Sequence, residues 1–486
     1  MSSPAHPASN LSYQMNPRGI SAVLLVIAAL AVGFLWASGH DDQRCIELVL
    51  LAALVPLMAR RQVAEQVAWM RPGARRCLGV FLVLGAVSAL GAFSLRHAIY
   101  EWSLLLLLML AAVLLAGELA RQGANGLQTV LRCLVAVGLL YALQILLMYA
   151  AALSSGIMPD AYSLTVGFSH PRFFNHAQTV LLPLVVLLSL QALKGGAWRR
   201  AAFALAAFWW AILFLTEARA SVLGLAMGCV LAFAVCRAGA RSFLKAMLFT
   251  ALAGMLVYVL VFMLLPMLLG MEPYSAVTNV VQRTAADPTS RRNLLWQLAA
   301  QLIAAHPWLG VGPHHFAHEG AALSWGAHPH NFALQIGAEW GLPALLCLLG
   351  AIGIGMLALV RCAKHIAPAD LSGQQTLATM LAAGAAILVD GLLSGVIVMP
   401  QSQMAIVLYL GCAAGWMRSL DKAAAPRAGA PLRALLAGLA VAALCGLAYG
   451  VAPSVERHAR HEALTPAEQA CNPNVQWPRM WEAGYF

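Results

Sequence analysis

Apolar residues run through this chain in long blocks separated by short polar or turn-rich stretches. About 20 apolar residues suffice to cross the hydrocarbon core of a bilayer as a helix. The pattern predicts thirteen spans: 20–38, 45–59, 77–95, 101–119, 130–152, 177–193, 201–216, 221–236, 246–269, 333–360, 374–398, 402–417 and 434–451. The second, seventh and twelfth are short for a crossing. One polar stretch breaks the rhythm, from Gly270 to Asn331. It opens on GMEPYSAVTN, carries TSRRNLLW and closes on His328-Pro329-His330-Asn331. Within it Ser290–Ala305 predicts an amphipathic helix, with Leu294, Leu295, Leu298 and Leu302 on one stripe and Ser290 as N-cap. The following HPWLGVGPHHF turns on Pro307, Gly310, Gly312 and Pro313.

These elements predict an all-α, polytopic integral membrane protein of twelve or thirteen helices, with a helical loop capping its outer face. Its expected divisions are a cytoplasmic N-terminus (1–19), helices (20–269), the large outer loop (270–331), further helices (332–451) and an outer tail (452–486). The first span lacks a small-residue cleavage site, so it reads as the start of the array and not as a signal peptide.

Composition agrees with that reading. The chain is 61% hydrophobic and 10% charged, with mean hydropathy +0.77, whereas soluble domains carry about a quarter charged residues. With the N-terminus inside, 20 of the 30 basic residues fall in inner segments, including Lys194, Lys245, Lys364 and Lys422. That bias is the signature of membrane orientation, so the net charge of +11 calls for no nucleic-acid partner. The ten cysteines form no CxxC pair and no zinc-type spacing. Cys45 and Cys471 share the outer side, which leaves a bridge between them open. Neither a P-loop nor a dinucleotide fingerprint is present.

Four polar clusters fall on the outer side. SHPRFFNHAQT places Arg172, Asn175, His176 and Gln178 at the mouth of the sixth span. LTEARAS interrupts two apolar spans with Glu217 and Arg219. The loop carries Arg283, Arg291 and Arg292, and its end carries His328, His330 and Asn331, followed by Gln335 and Glu339. An ionisable residue at membrane depth costs several kcal/mol and generally faces a cavity or a partner. Arg219 therefore either pairs with Glu217, snorkels to the interface, or grips phosphate through its bidentate fork. Arg291 and Arg292 oppose the dipole of the helix they begin, which makes sense if an anion binds there; a solvated helix end is the alternative. His314, His315 and His318 line a turn. His330 is placed to take a proton from a hydroxyl, with Asn331 as helix cap or substrate contact. A zinc site of His176, His328 and His330 is the competing reading, though no HExxH helix or carboxylate-rich set accompanies it. Trp325 and Trp340 offer either sugar-stacking faces or interface anchors.

The stretches GFSHPRFFNHAQT, LTEARAS, TSRRNLLWQLAAQLIAAHPWLGVGPHHF and HPHNFALQIGAEWGLP resemble the O-antigen ligase family of membrane glycosyltransferases, which includes polymerases and protein-glycosylating relatives. The resemblance runs from Gly167 to Pro343. It maps the family's arginine in the short outer turn onto Arg219, here in EAR where SR is usual. The loop arginine falls on Arg292, four residues before Trp296, and the histidine before asparagine on His330. It implies catalytic roles for His330, Arg219 and Arg292, and substrate contacts from Arg172, Asn175, His176, His328, Asn331, Arg291 and Glu217. It further implies metal-independent transfer, without a cofactor, of an undecaprenyl-pyrophosphate-linked glycan donor in the bacterial inner membrane. The expected acceptor is lipid A-core oligosaccharide, with His330 as base and the arginines clamping the diphosphate at the periplasmic face. Protein O-oligosaccharyltransferase, O-antigen polymerase and non-catalytic glycan transporter are the alternatives. A transporter would place its charges near the midplane, whereas these gather on one side.

Overall fold

The computed structural model describes residues 19–274, 292–321, 326–421, 428–460, 478–482 and 484–486. Its main helices are α1 (Ser21–Leu35), α2 (His40–Met58), α3 (Arg61–Trp69), α4 (Pro72–Leu90), α5 (Leu95–Ser154), α6 (Pro171–Gln191), α7 (Ala197–Leu215) and α8 (Arg219–Cys236). There follow α9 (Arg241–Val257), α10 (Arg292–Ala305), α11 (Phe332–Trp340), α12 (Leu342–Cys362), α13 (Leu371–Leu393), α14 (Pro400–Leu420) and α15 (Ala430–Ala459). The described residues contain no strand. The protein is all-α and polytopic.

Eight helical stretches among the described residues are long and apolar enough to cross a membrane: Pro72–Leu90, Leu95–Ser154, Pro171–Gln191, Ala197–Leu215, Arg219–Leu268, Leu342–Cys362, Leu371–Leu393 and Ala430–Arg457. Leu95–Ser154 absorbs two expected spans, which are separated only by a break at Gly123 (φ 56°). Arg219–Leu268 likewise absorbs two, joined by the short turn after Cys236. Expected spans 20–38, 45–59 and 402–417 are also helices but fall short in length or apolarity. The reason is plain in α2, which buries Arg44 and Glu47, and in α14, which buries Gln401, Ser402 and Gln403. The expected span 333–360 is broken in two. Gly341 adopts φ 85°, and a Cβ there would lie 2.2 Å from the Trp308 carbonyl, so the chain must turn where the loop presses against it.

Helix α6 is the buried axis, with nearly every residue from Pro171 to Ser189 inside the bundle. By contrast α9 exposes Leu248, Phe249, Leu252 and Leu256, and α12 exposes Leu342, Leu346 and Leu349. An aliphatic surface of that extent belongs in lipid. At one end the basic segments meet: Arg60 bonds Glu118 and Ser21 at 3.0 Å each, while Glu118 caps α1 by accepting from Ala22 N at 3.0 Å. A carboxylate at a helix N-terminus is stabilised by the helix dipole.

In the loop, Ser290 lies outside the described residues. The buried stripe of α10 is Leu295, Ala299 and Leu302, whereas Leu294 is exposed, so the apolar face is rotated from the expected one.

The close crossing of α8 on α13 sets the site. It uses Gly224 and Gly228, a small-xxx-small pair of the kind that lets membrane helices approach. A Cβ on Gly228 would lie 2.2 Å from the Ala382 carbonyl oxygen. Backbone cannot yield as a side-chain tip can, so Gly228→Ala is expected to destabilise by about 1–3 kcal/mol despite alanine's better helix propensity. Gly438→Ala, where nothing lies within 4 Å, should be neutral or stabilising. Thermal melts of the purified protein in detergent check both, and equal melting temperatures would contradict the packing argument.

Candidate active site

Four chain segments, the last being Leu393 and Ser394 at the end of α13, converge on a cavity of about 250 Å³ lined by Arg172, Asn175, His176, Glu217, Ala218, Arg219, Ala220, Ser221, Leu223, Arg292, Leu393 and Ser394. The first is the start of α6. His170 caps that helix by accepting from Arg172 N at 3.1 Å, and Pro171 supplies a preset φ in the first turn. Arg172, Asn175 and His176 then share one face at i, i+3 and i+4. The second is the tight turn between α7 and α8. Ala218 N donates to Leu213 O at 3.1 Å and Arg219 N to Glu217 O at 2.8 Å. This reversal puts Glu217 at φ 55°, a conformation costly for a residue with a side chain and found where surroundings enforce it. The third is α10, which begins with Arg292.

The sequence reading missed a buried carboxylate behind the cavity wall. Asp390 is fully buried on α13; its Oδ2 lies 3.2 Å from His176 Nδ1, and Ser394 Oγ donates to its Oδ1. The signal was there, a lone ionisable residue within the apolar LVDGLLSG of span 374–398. Asp390 fixes the orientation of the His176 ring against the cavity. Asn175 Nδ2 donates to Gln178 Oε1 at 2.9 Å, and its buried Oδ1 has no hydrogen-bond partner among the described residues.

The His328–His330 turn stands beside the cavity and not in its wall. Trp296, one helical turn after Arg292, donates from Nε1 to Pro329 O at 3.0 Å. His330 N donates to His328 Nδ1 at 3.2 Å, and the two rings lie 4.1 Å apart. His330 is half-buried at φ 53°, while His328 is buried. Helix α10 thus carries an arginine of the cavity and a brace for the histidine turn on one face. Both imidazoles are held well below the ordinary value of 6.5, first by loss of solvent and then by nearby charges. For His330 those charges are on His328, Arg292, Arg172 and His176.

Other expected contacts sit elsewhere. Asn331 is the helix cap: its Oδ1 accepts from Ala333 N and Leu334 N at 3.0 Å, which occupies the oxygen a substrate would use. His328 is committed to the turn. Trp340 is fully buried and stacked on Phe81 at 4.5 Å, which removes it as a sugar platform. Gln335 and Glu339 face Arg479. Arg283, Arg291, Trp325 and Cys471 lie outside the described residues.

Because the folded state keeps His328 and His330 neutral, the unfolded chain binds more protons below about pH 6.5. Stability is therefore full above that value and is lost as pH falls toward the depressed folded values. The melting temperature should drop between about pH 7.5 and 5.5, and less so in His330→Gln; a slope unchanged by that substitution would contradict the assignment for His330.

Comparison with known proteins adds a family to this geometry. No curated protein matches the chain. Residues 201–349 match the family model described as O-antigen ligase. The matched stretch contains Glu217, Arg219, Arg292, Trp296 and the histidine turn, and this likeness supports a glycosyltransferase-like function of ligase or polymerase type.

Proposed function

We propose that this protein transfers an O-antigen-type glycan from undecaprenyl pyrophosphate to lipid A-core oligosaccharide, at the periplasmic face of a bacterial inner membrane. The observation carrying this reading is the convergence of Arg172, Arg219 and Arg292, from three separate segments, on one cavity. Three guanidiniums gathered on one cavity suit a diphosphate, since each fork can hold two phosphate oxygens.

In the proposed reaction the acceptor hydroxyl oxygen attacks the anomeric carbon, and the bond from that carbon to the diphosphate oxygen breaks. The hydroxyl proton passes to the neutral His330 imidazole, and the negative charge develops on the leaving lipid diphosphate. Arg219 and Arg292 stabilise that charge where it grows, which is where fixed cations contribute most to rate. Attack opposite the leaving group inverts the anomeric centre. Asn175 Oδ1 is available to accept from a donor sugar hydroxyl, and His176, held by Asp390, presents a second imidazole to the cavity.

In a purified assay with lipid-linked glycan and lipid A-core, His330→Ala should lower kcat by about 10²–10⁴-fold. Arg219→Ala and Arg292→Ala should lower kcat/KM by at least as much as one lost transition-state donor, roughly 10²-fold. Full transfer by His330→Ala would remove the base assignment, and activity abolished by chelators and restored by a divalent ion would overturn metal independence.

The pH profile gives a separate check. A bound diphosphate neutralises the cations that depress His330, so its pKa rises in the complex. The acid limb of kcat should therefore lie at higher pH than that of kcat/KM; the reverse order would count against the mechanism.

The acceptor is read from a gene deletion. Loss of both long-chain and single-repeat glycan from the lipid A-core supports a ligase. Retention of single-repeat attachment would mean a polymerase, and an altered glycoprotein profile with intact lipopolysaccharide would mean a protein O-oligosaccharyltransferase.

A further inference from the structure

Arg479 is almost fully buried, far in sequence from every motif of the site. Its guanidinium donates from Nη2 to Glu339 Oε2 at 2.7 Å and to Glu101 Oε1 at 3.2 Å. Nη1 reaches Ala327 O at 3.4 Å, and Gln335 Oε1, with its amide oriented to match, accepts from Nη2 at 2.9 Å. These partners bracket the histidine turn. Ala327 immediately precedes His328, while Gln335 and Glu339 follow on α11, the helix that Asn331 caps. The same segment adds a second contact, because Tyr485 Oη accepts from Gly326 N at 2.8 Å. The segment is itself anchored from behind: Arg44 Nη2 donates to Arg479 O at 3.1 Å and to Val398 O at 2.7 Å.

We propose that Arg479 is a positioning residue for the His328–His330 turn, acting with Tyr485 as a clamp that fixes where the His330 imidazole stands relative to Arg292. The proposal rests on the reading of His330 as the base. A buried arginine serving only helix packing could be replaced by apolar side chains at little cost. This one spends its fork on both flanks of a turn whose last residue, His330, occupies a left-handed conformation. Such a conformation persists only when the surroundings over-determine it. On the opposite flank, Trp296 holds Pro329 O, so the turn is gripped from α10 and from the 478–486 region at once. Displacing a reacting group by about 1 Å can cost roughly 10²-fold in rate, and a clamp of this kind guards against that displacement.

Two variants test it. Arg479→Lys keeps the positive charge beside Glu339 and Glu101 but cannot span both flanks. Tyr485→Phe removes one hydroxyl and leaves the core intact. Each is purified in nanodiscs and assayed for transfer from lipid-linked glycan, with amide hydrogen exchange followed in parallel. Arg479→Lys should lower kcat by roughly 10–100-fold, and Tyr485→Phe by a few-fold, with donor KM within about twofold of the parent. Exchange should quicken at residues 326–334 and stay unchanged at 172–178. Unaltered kcat and exchange in both folded variants would overturn the clamp, as would a raised donor KM with kcat unchanged. Should the parent protein make no product, the transferase reading fails. Exchange then decides the clamp alone, with quickening at 326–334 supporting it and its absence overturning it.

Discussion

A charged group inside an apolar bundle is tolerated only where something answers it, and most of this architecture follows from that constraint. Glu118 is answered by Arg60 and the α1 backbone, Arg44 by Glu47 and Gln403, and Arg479 by Glu339 and Glu101. Glu118–Arg60, Arg44–Gln403 and the Arg479 pairings join segments distant in sequence, so they also fix topology: removing one partner would strand the other inside the bundle. The cavity is where the rule changes character. Among the described residues its wall brings Arg172, Arg219 and Arg292 together with Glu217, a lining suited to an anion.

The placement of those arginines depends on backbone geometry more than on side-chain packing. Gly224 and Gly228 allow α8 to approach α13 closely enough for the α7–α8 turn to open beside Ser394 and His176. Glu217 and His330 are two of the four described non-glycine residues at positive φ, and both lie beside the cavity, where the chain is bent out of easy conformations. Strain of this kind is supported by surrounding bonds, such as Arg219 N to Glu217 O and Trp296 to Pro329 O.

The helices were legible because bilayer thickness imposes a length on apolar blocks, and the motifs were legible because charges in such blocks are rare. Arg172, Asn175, His176, Glu217 and Arg219 stood out as polar groups at the ends of apolar spans, Arg292 as a cation at a helix start, and the fold brings them to one cavity. Asp390 escaped because a single carboxylate within a long apolar run barely alters the hydropathy of its window. Its role appears only when α6 sets His176 beside it. Arg479 escaped for a different reason. A basic residue near the chain's end, among aromatic and turn residues, has no periodic context, and only tertiary structure reveals that it is buried. The Asn331 ambiguity between cap and ligand could not be resolved from one sequence, since both roles ask for the same side chain before a helix.

Under the proposed reaction, the histidine turn raises the question of why the base should stand outside the cavity that would hold the anion. His176, the imidazole in the arginine-lined wall, is engaged by Asp390, and the base's role in the proposed reaction therefore falls to the turn. Set one shell back, His330 still feels Arg292 and Arg172, though behind desolvation as the leading influence. A bound diphosphate would cancel much of that field just when a proton must be accepted. The separation thus couples basicity to donor occupancy, and free protein, with its imidazole held neutral and weakly basic, has little means of activating a hydroxyl before the donor has arrived. Such coupling requires a turn that does not drift as the charges around it change. That requirement gives physical sense to a turn braced on one side by Trp296 and on the other by Arg479 and Tyr485.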